Sequence, residues 1–254
     1  KDEVGLRVPQ FGALSAIRAH WTTSMAPATI VLPTGTGKSE TIFSTIVSER
    51  ITSSLIIVPS NYLREQLYEG AKNFGILPKL EMISANALFP TTLMYKSKPK
   101  KEDEDLLLEY ILNSNIIVTT PRMLSSMSPK IMKQLVQKVD VVFFDEAHHL
   151  AAKEWSSVRE MFTENKILQF TATPFRNDGK KIDGKIIFNY DLLLAQKAGY
   201  FMPIDFYPIK EFDEQKSDLE IANTSIKLLE KDIDEGFNHI LLARASTQKR
   251  ADEL

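Results

Sequence analysis

The sequence predicts an α/β protein built on a doubly wound, mostly parallel sheet, and three observations carry that expectation. Short apolar runs alternate with segments of helical period at the spacing of βαβ units. Runs such as Leu55-Ile56-Ile57-Val58 and Ile116-Ile117-Val118 are apolar without alternation, as strands are when both faces of a parallel sheet are covered. Two runs end in residues suited to the carboxyl edge of such a sheet: 28–32 leads into a glycine loop, and 139–144 leads into a pair of acids.

Taken in order, a helix over 10–21 precedes the β-branched strand 28–32, and a helix over 38–50 opens where the glycine loop ends. Strand 54–58 runs into a helix over 60–73. Residues 84–105 hold no obvious element and finish as Lys96-Ser-Lys-Pro-Lys-Lys-Glu-Asp-Glu-Asp105. That charge run reads as a solvated loop and the acidic first turn of a helix over 103–113, with a phosphate-contacting loop as the other reading. Strand 115–119, helix 129–137, strand 139–144, helix 154–164 and strand 166–170 follow. Residues 175–190 read as a basic loop, with Arg176, Lys180, Lys181 and Lys185 among glycines and a nucleotide or nucleic-acid role open. Helix 191–199, strand 204–209, the amphipathic helix 216–235, strand 238–243 and helix 246–254 complete the chain. Right-handed crossovers between such strands produce the doubly wound sheet.

The glycine loop reads Pro33-Thr34-Gly35-Thr36-Gly37-Lys38-Ser39. Gly35 and Gly37 let the backbone curl so that N–H groups point inward at phosphate oxygens, and the helix that follows adds its own dipole and free N–H groups. Lys38 would reach the β- and γ-phosphates, and the Ser39 hydroxyl would hold Mg²⁺. The general pattern has a glycine where this chain has Leu32, but both interior glycines are present. A plain turn before a helix is the other reading of Gly-Lys-Ser; strand, loop and helix in this order favour a phosphate-binding loop. The string Asp145-Glu146-Ala147-His148 strengthens it. Asp145 would hold the metal, and Glu146 would orient and deprotonate the water that attacks the γ-phosphate. An acidic helix start is the structural reading of the same pair.

With these strings, the chain resembles the superfamily 2 helicases and translocases of the DEAD/DEAH-box-like kind, from about residue 7 onward. Arg7 and Gln10 look like the element that reads adenine. Val58-Pro59-Ser60 with Leu63 and Gln66 looks like motif Ia, and Thr119-Thr120-Pro121-Arg122 like motif Ib. Thr171-Ala172-Thr173-Pro174 looks like motif III, which couples the ATP site to nucleic acid. The longer string from Phe170 through Arg176 and Asp178 to Gly179 looks closer to the restriction-subunit and repair-translocase branch, similar to type III restriction enzyme res subunits, than to the RNA-remodelling branches. The resemblance implies a RecA-like first domain over 1–212 and the edge of a second over 213–254, where Arg244-Ala-Ser246 resembles motif IV. It implies nucleic-acid contacts at Pro59, Ser60, Arg64, Thr120, Pro121 and Arg122. It also gives His148 a coupling role with Thr171 and Thr173. His149 reads as a local packing residue, and His20 and His239 carry no pattern.

Composition bounds the rest. A chain of 254 residues that is 43% hydrophobic and 25% charged is of ordinary globular type. It has no cysteine, which excludes disulfides, thiol catalysis and cysteine-ligated metals. No apolar run approaches about 18 residues, so a cytoplasmic protein away from membranes is expected. The net charge of −2 offers no bulk attraction for nucleic acid, so binding must rest on local placement. The expected function is the ATP-binding and ATP-hydrolysing core of a nucleic-acid helicase that uses ATP and Mg²⁺ and acts on DNA rather than RNA, with a nuclease or methylase partner in view. Two rivals stay open: a duplex translocase of a restriction or defence system, and a nucleotide-gated binding module. The sequence begins at Lys1 and stops soon after the motif IV resemblance, so this stretch is expected to be a fragment that binds nucleotide and turns it over poorly.

Overall fold

The apolar runs become the middle of one sheet. The structure, a computed structural model, describes residues 4–84, 86–147, 152–175, 184–202, 205–245, 247 and 250–251. The chain divides into two units, Lys1–Met202 and Pro203–Leu254.

In the first unit the described residues form β1 (Ala28–Val31), β2 (Ser54–Ile57), β3 (Thr92–Met94), β4 (Ile116–Thr119), β5 (Val141–Phe144), β6 (Lys166–Thr171) and β7 (Lys185–Asn189). They lie in the order β3-β4-β2-β5-β6-β1-β7. Every neighbouring pair is parallel. Helices connect them: α1 (Val8–Thr23), α2 (Lys38–Ser48), α3 (Asn61–Ala71), α4 (Glu104–Asn113), α5 (Pro121–Leu124), α6 (Pro129–Lys138), α7 (Ala152–Met161) and α8 (Leu192–Lys197). Their starts follow from the sequence. Proline stands in the first turn of α1, α5 and α6, where its missing N–H costs nothing. The Ser60 hydroxyl caps α3 by accepting from Leu63 N.

Strands β1, β2, β4 and β5 are buried along their whole length. Their side chains alternate between two apolar cores, one on each face. Ile30, Ile56, Val118, Phe143 and Phe170 pack with Ile17 of α1 and Phe43 of α2. Leu55, Ile57, Ile117, Val142 and Phe144 pack with Ile111 of α4, Leu135 of α6 and Phe162.

Four expectations need correction. The segment 84–105 is not wholly irregular: it carries β3 and a 3₁₀ turn at Lys101–Asp103. Three half-buried edge residues are too few for a period to register, and the strand is held by its backbone, with Asn115 N donating to Thr91 O and Tyr95 N to Val118 O. Within the expected basic loop, β7 is an edge strand beside β1. Its Lys185 and Asn189 are exposed, as suits an edge that must resist further pairing. The expected strands 204–209 and 238–243 are absent among the described residues of the second unit. Ile240 and Leu242 are exposed there, and no neighbouring ladder takes up their backbone groups. That unit is described chiefly by α9 (Glu214–Asp234), capped by the Asp213 side chain accepting from Lys216 N.

No helix among the described residues is long and apolar enough to cross a membrane. The rings of Phe143 and Phe170 are fully buried, with centroids 6.4 Å apart. Phe143→Ala should lower stability by about 3–5 kcal/mol in urea unfolding. A loss below about 1 kcal/mol would contradict its place at the centre of the core.

Candidate functional site

The loop after β1 is shaped by two residues in the left-handed region, Gly35 at φ +84° and Gly37 at φ +96°. Gly37 is the N-cap of α2, and a Cβ there would stand 1.9 Å from Gln10 Nε2. Only glycine meets both conditions. Thr36 is fully buried and braces the loop, its N and Oγ1 both donating to Pro33 O at 3.2 and 2.6 Å. Thr34, Gly35, Gly37, Lys38 and Ser39 line a cavity of about 1110 Å³.

Arg7 and Gln10 line the same cavity. Gln10 is buried, and its amide is committed to the protein: Oε1 accepts from Arg7 N at 2.8 Å, and Nε2 donates to Gly37 O at 3.5 Å. Arg7 is exposed and donates from Nη1 to Gly35 O at 3.3 Å. Both residues thus tie the start of α1 to the glycine loop.

The acidic pair enters from the end of β5, two strands from β1 with β6 between. Asp145 N donates to Ile57 O at 3.0 Å, which continues the ladder to β2. Glu146 takes φ +50°, a strained conformation for a residue with a side chain. Its Oε1 lies 2.9 Å from Lys38 Nζ, and Lys38 is only 8% exposed. Asp145 is buried, and its Oδ1 has no hydrogen-bond partner. Burial, with the Glu146 carboxylate adding to it, pushes Asp145 up to about 6, although Lys38 pulls the other way. A hard cation suits this arrangement. Orphaned Asp145 Oδ1 and the Ser39 hydroxyl are the oxygen donors that Mg²⁺ prefers, and both residues line the cavity.

Thr171 ends β6 between these two loops. Its carbonyl accepts from Leu32 N at 2.9 Å, and its Oγ1 donates to Thr173 O at 2.7 Å and accepts from Thr173 N at 3.2 Å. The segment that resembles motif III is thereby tied to the residue before the glycine loop. His148, Arg176, Asp178, Gly179, Lys180, Lys181 and Ser246 lie outside the described residues.

The segments expected at nucleic acid follow β2 and β4, which are neighbours on the other half of the same sheet edge. Ser60 and Arg122 are exposed, Pro59 is half-buried, and Thr120 and Pro121 are buried at the start of α5. Arg64 is only 5% exposed, and its Nε has no partner. The cavity also takes in residues the motifs did not single out: Gly199 and Tyr200 after α8, and Ile76, Lys79, Leu80 and Glu81 after α3. Both turns carried a legible helix stop, Asn73 and Gly75 with Pro78 beyond α3 and Gly199 beyond α8, but nothing in either string tied it to the cavity.

The sequence pattern of the family "Type III restriction enzyme, res subunit" matches residues 3–176. The DNA 3'-5' translocase XPB2 of Sulfurisphaera tokodaii is 29% identical over 185 residues, which is 71% of this chain and 33% of the relative. Putative helicase 22 of a Sulfolobus islandicus filamentous virus is 35% identical over 80 residues, 30% of this chain and 14% of the relative. The chain thus spans a third or less of the length of these relatives. Among solved structures, a nuclease-deletion mutant of the Type ISP restriction-modification enzyme LlaGI, in complex with a DNA substrate mimic, covers 90% of this chain and 22% of its own. Its TM-score is 0.55 at 16% identity. UvsW of bacteriophage T4 covers 90% of this chain and 46% of its own, with a TM-score of 0.51 at 16% identity. These likenesses bear out the expected RecA-like fold. The chain belongs to the type III restriction enzyme res-subunit family and is a helicase- or translocase-like ATPase domain of superfamily 2.

Proposed function

We propose that this chain is the ATP-binding and ATP-hydrolysing core of a helicase acting on DNA. One observation carries the reading: the Lys38–Glu146 pair at 2.9 Å beside the orphaned, buried Oδ1 of Asp145. A buried lysine, its carboxylate partner and a buried acid with one orphaned oxygen are costly in a merely structural role, and each is explained by a Mg-triphosphate. Lys38 leaves Glu146 for the phosphate oxygens when the nucleotide arrives. Glu146, released, takes the proton of the water attacking the γ-phosphate. Asp145 and Ser39 would hold Mg²⁺, which would supply neutralisation of phosphate charge.

DNA as the track is supported by the likeness to the archaeal DNA translocase and to the restriction enzyme solved with a DNA mimic. Exposed Ser60 and Arg122, at the starts of α3 and α5, are the proposed phosphate contacts, with Thr171 and Thr173 coupling them to the nucleotide. The same likenesses favour a second reading, translocation along duplex without strand separation. The restriction relative, described as lacking its nuclease, supports a nuclease or methylase partner. ATP turnover by the intact protein should rise with DNA, and unwinding of a labelled duplex decides between the two readings. Turnover indifferent to DNA would remove both.

At the level of residues, Lys38→Ala should weaken Mg-ATP binding at least about tenfold by calorimetry, and unchanged affinity would end the phosphate-loop reading. Glu146→Gln should keep ATP binding while turnover by the intact protein falls on the order of 10²-fold or more, because the amide cannot accept a proton.

Asp145 supplies a test on stability. Its folded pKa of about 6 lies above the ordinary aspartate value. Its contribution is therefore fully present at acid pH and is lost as pH rises through about 6. Without Mg²⁺ or nucleotide, Asp145→Asn should stabilise the protein by about 2 kcal/mol at pH 8, with the gain vanishing below roughly pH 4. The same variant should lose Mg²⁺-dependent nucleotide affinity. A variant less stable than wild type at pH 8 would contradict an uncompensated charge.

A further inference from the structure

Resting on the nucleotide reading above, we propose that Tyr200 is a positioning residue that holds Arg7 for stacking on the base of the bound nucleoside triphosphate. The Tyr200 ring lies under the Arg7 guanidinium, 5.4 Å from its centroid, and both residues line the cavity. Gln10, the other residue expected to read the base, is buried, and its amide bonds to Arg7 N and Gly37 O. Arg7 is the exposed one of the two, and its flat guanidinium suits a π-face.

The aromatic is built into place rather than carried on a loose loop. Helix α8 is capped at its start by Asp191, whose Oδ1 accepts from Leu194 N at 2.8 Å. It ends at Gly199, φ +75°, with Gly199 N donating to Gln196 O and Tyr200 N to Ala195 O, both at 2.9 Å. That is the left-handed helix stop that fixes the direction of the next residue. Tyr190, with its ring centroid 6.5 Å from that of Tyr200, backs the ring. Tyr190 N donates to Val31 O, so the support is anchored on the strand that feeds the phosphate loop. The next residue, Phe201, reaches the loop itself: its ring stands 3.3 Å from where a Cβ on Gly35 would be. The turn Gly199-Tyr200-Phe201 thus touches both the base-side arginine and the phosphate loop.

The test compares Mg-ATP with Mg-tripolyphosphate, which lacks base and ribose, on the full chain by calorimetry. Tyr200→Leu keeps bulk but removes the π-face. It should weaken Mg-ATP about fivefold, leave Mg-tripolyphosphate within about twofold, and be rescued by Tyr200→Phe. In an Arg7→Gln background Tyr200→Leu should cost nothing further, since the ring acts through the arginine. Unchanged ATP affinity in Tyr200→Leu overturns the proposal while the phosphate-loop reading survives. A parallel loss for both ligands also overturns it, because the ring would then only support the loop. Wild-type protein that binds neither ligand removes the nucleotide reading, and this proposal with it.

Discussion

All strands of the sheet run the same way, and the site depends on that constraint. Parallel strands must be joined by crossovers, so every loop that leaves a carboxyl end reaches the same edge. The loops after β1, β6 and β5 carry Lys38, Thr171 and Asp145, and these three strands are neighbours. Two strand spacings separate β1 from β5, about 10 Å, which the long side chains of Lys38 and Glu146 close to 2.9 Å. Reversing any one of the three would move its loop to the opposite edge and dissolve the arrangement. The parallel order has its own requirement, that both faces be covered. The two apolar cores meet it, one beneath α1 and α2 and the other beneath α4 and α6.

Against this rigid background the edge concentrates groups that folding alone disfavours. A buried lysine faces a carboxylate, a buried aspartate keeps an oxygen without a partner, and a glutamate sits at φ +50°. Each costs stability on the order of 1–3 kcal/mol, and the neighbouring strands hold them in place. Their coincidence at one spot is what separates a site from a set of ordinary imperfections.

Much of this was legible in the sequence, for reasons specific to each element. Central strands such as Leu55-Ile56-Ile57 and Val141-Val142-Phe143-Phe144 are apolar because they are covered on both faces, so composition marks them. Gly35 and Gly37 are marked because their left-handed backbone favours glycine, and the Lys38–Ser39 helix start is marked by following them directly. The edges were not legible. Thr92-Leu93-Met94 and Lys185-Ile186-Ile187-Phe188-Asn189 are partly exposed, and their strand character comes from a neighbour's backbone, which carries no local signal. The opposite error fell on 238–243, an apolar run without a partner ladder among the described residues. Tyr200 was missed because its relevance depends on Arg7, nearly the whole first unit away in sequence. The motif around Pro59 and Arg64 pointed to the correct edge, but the burial of Arg64 is set by packing that no short string encodes.

The division of that edge bears on how the proposed coupling could be built. The proposed nucleotide residues follow β1 and β5, the proposed nucleic-acid segments follow β2 and β4, and β5 and β2 are adjacent. Asp145 N donates to Ile57 O, so the proposed metal ligand is hydrogen-bonded through its backbone to the strand that runs into Pro59 and Ser60. On the other side Leu32 N donates to Thr171 O, so the turn proposed to couple the two sites is hydrogen-bonded to the strand that runs into the glycine loop. Both contacts prolong regular ladders past the ends of their strands. A displacement of Asp145 or of the glycine loop by a bound nucleotide therefore acts on backbone rather than on mobile side chains. Two short backbone links, each one residue from a proposed functional segment, supply a physical route for that coupling without any long chain of side-chain contacts.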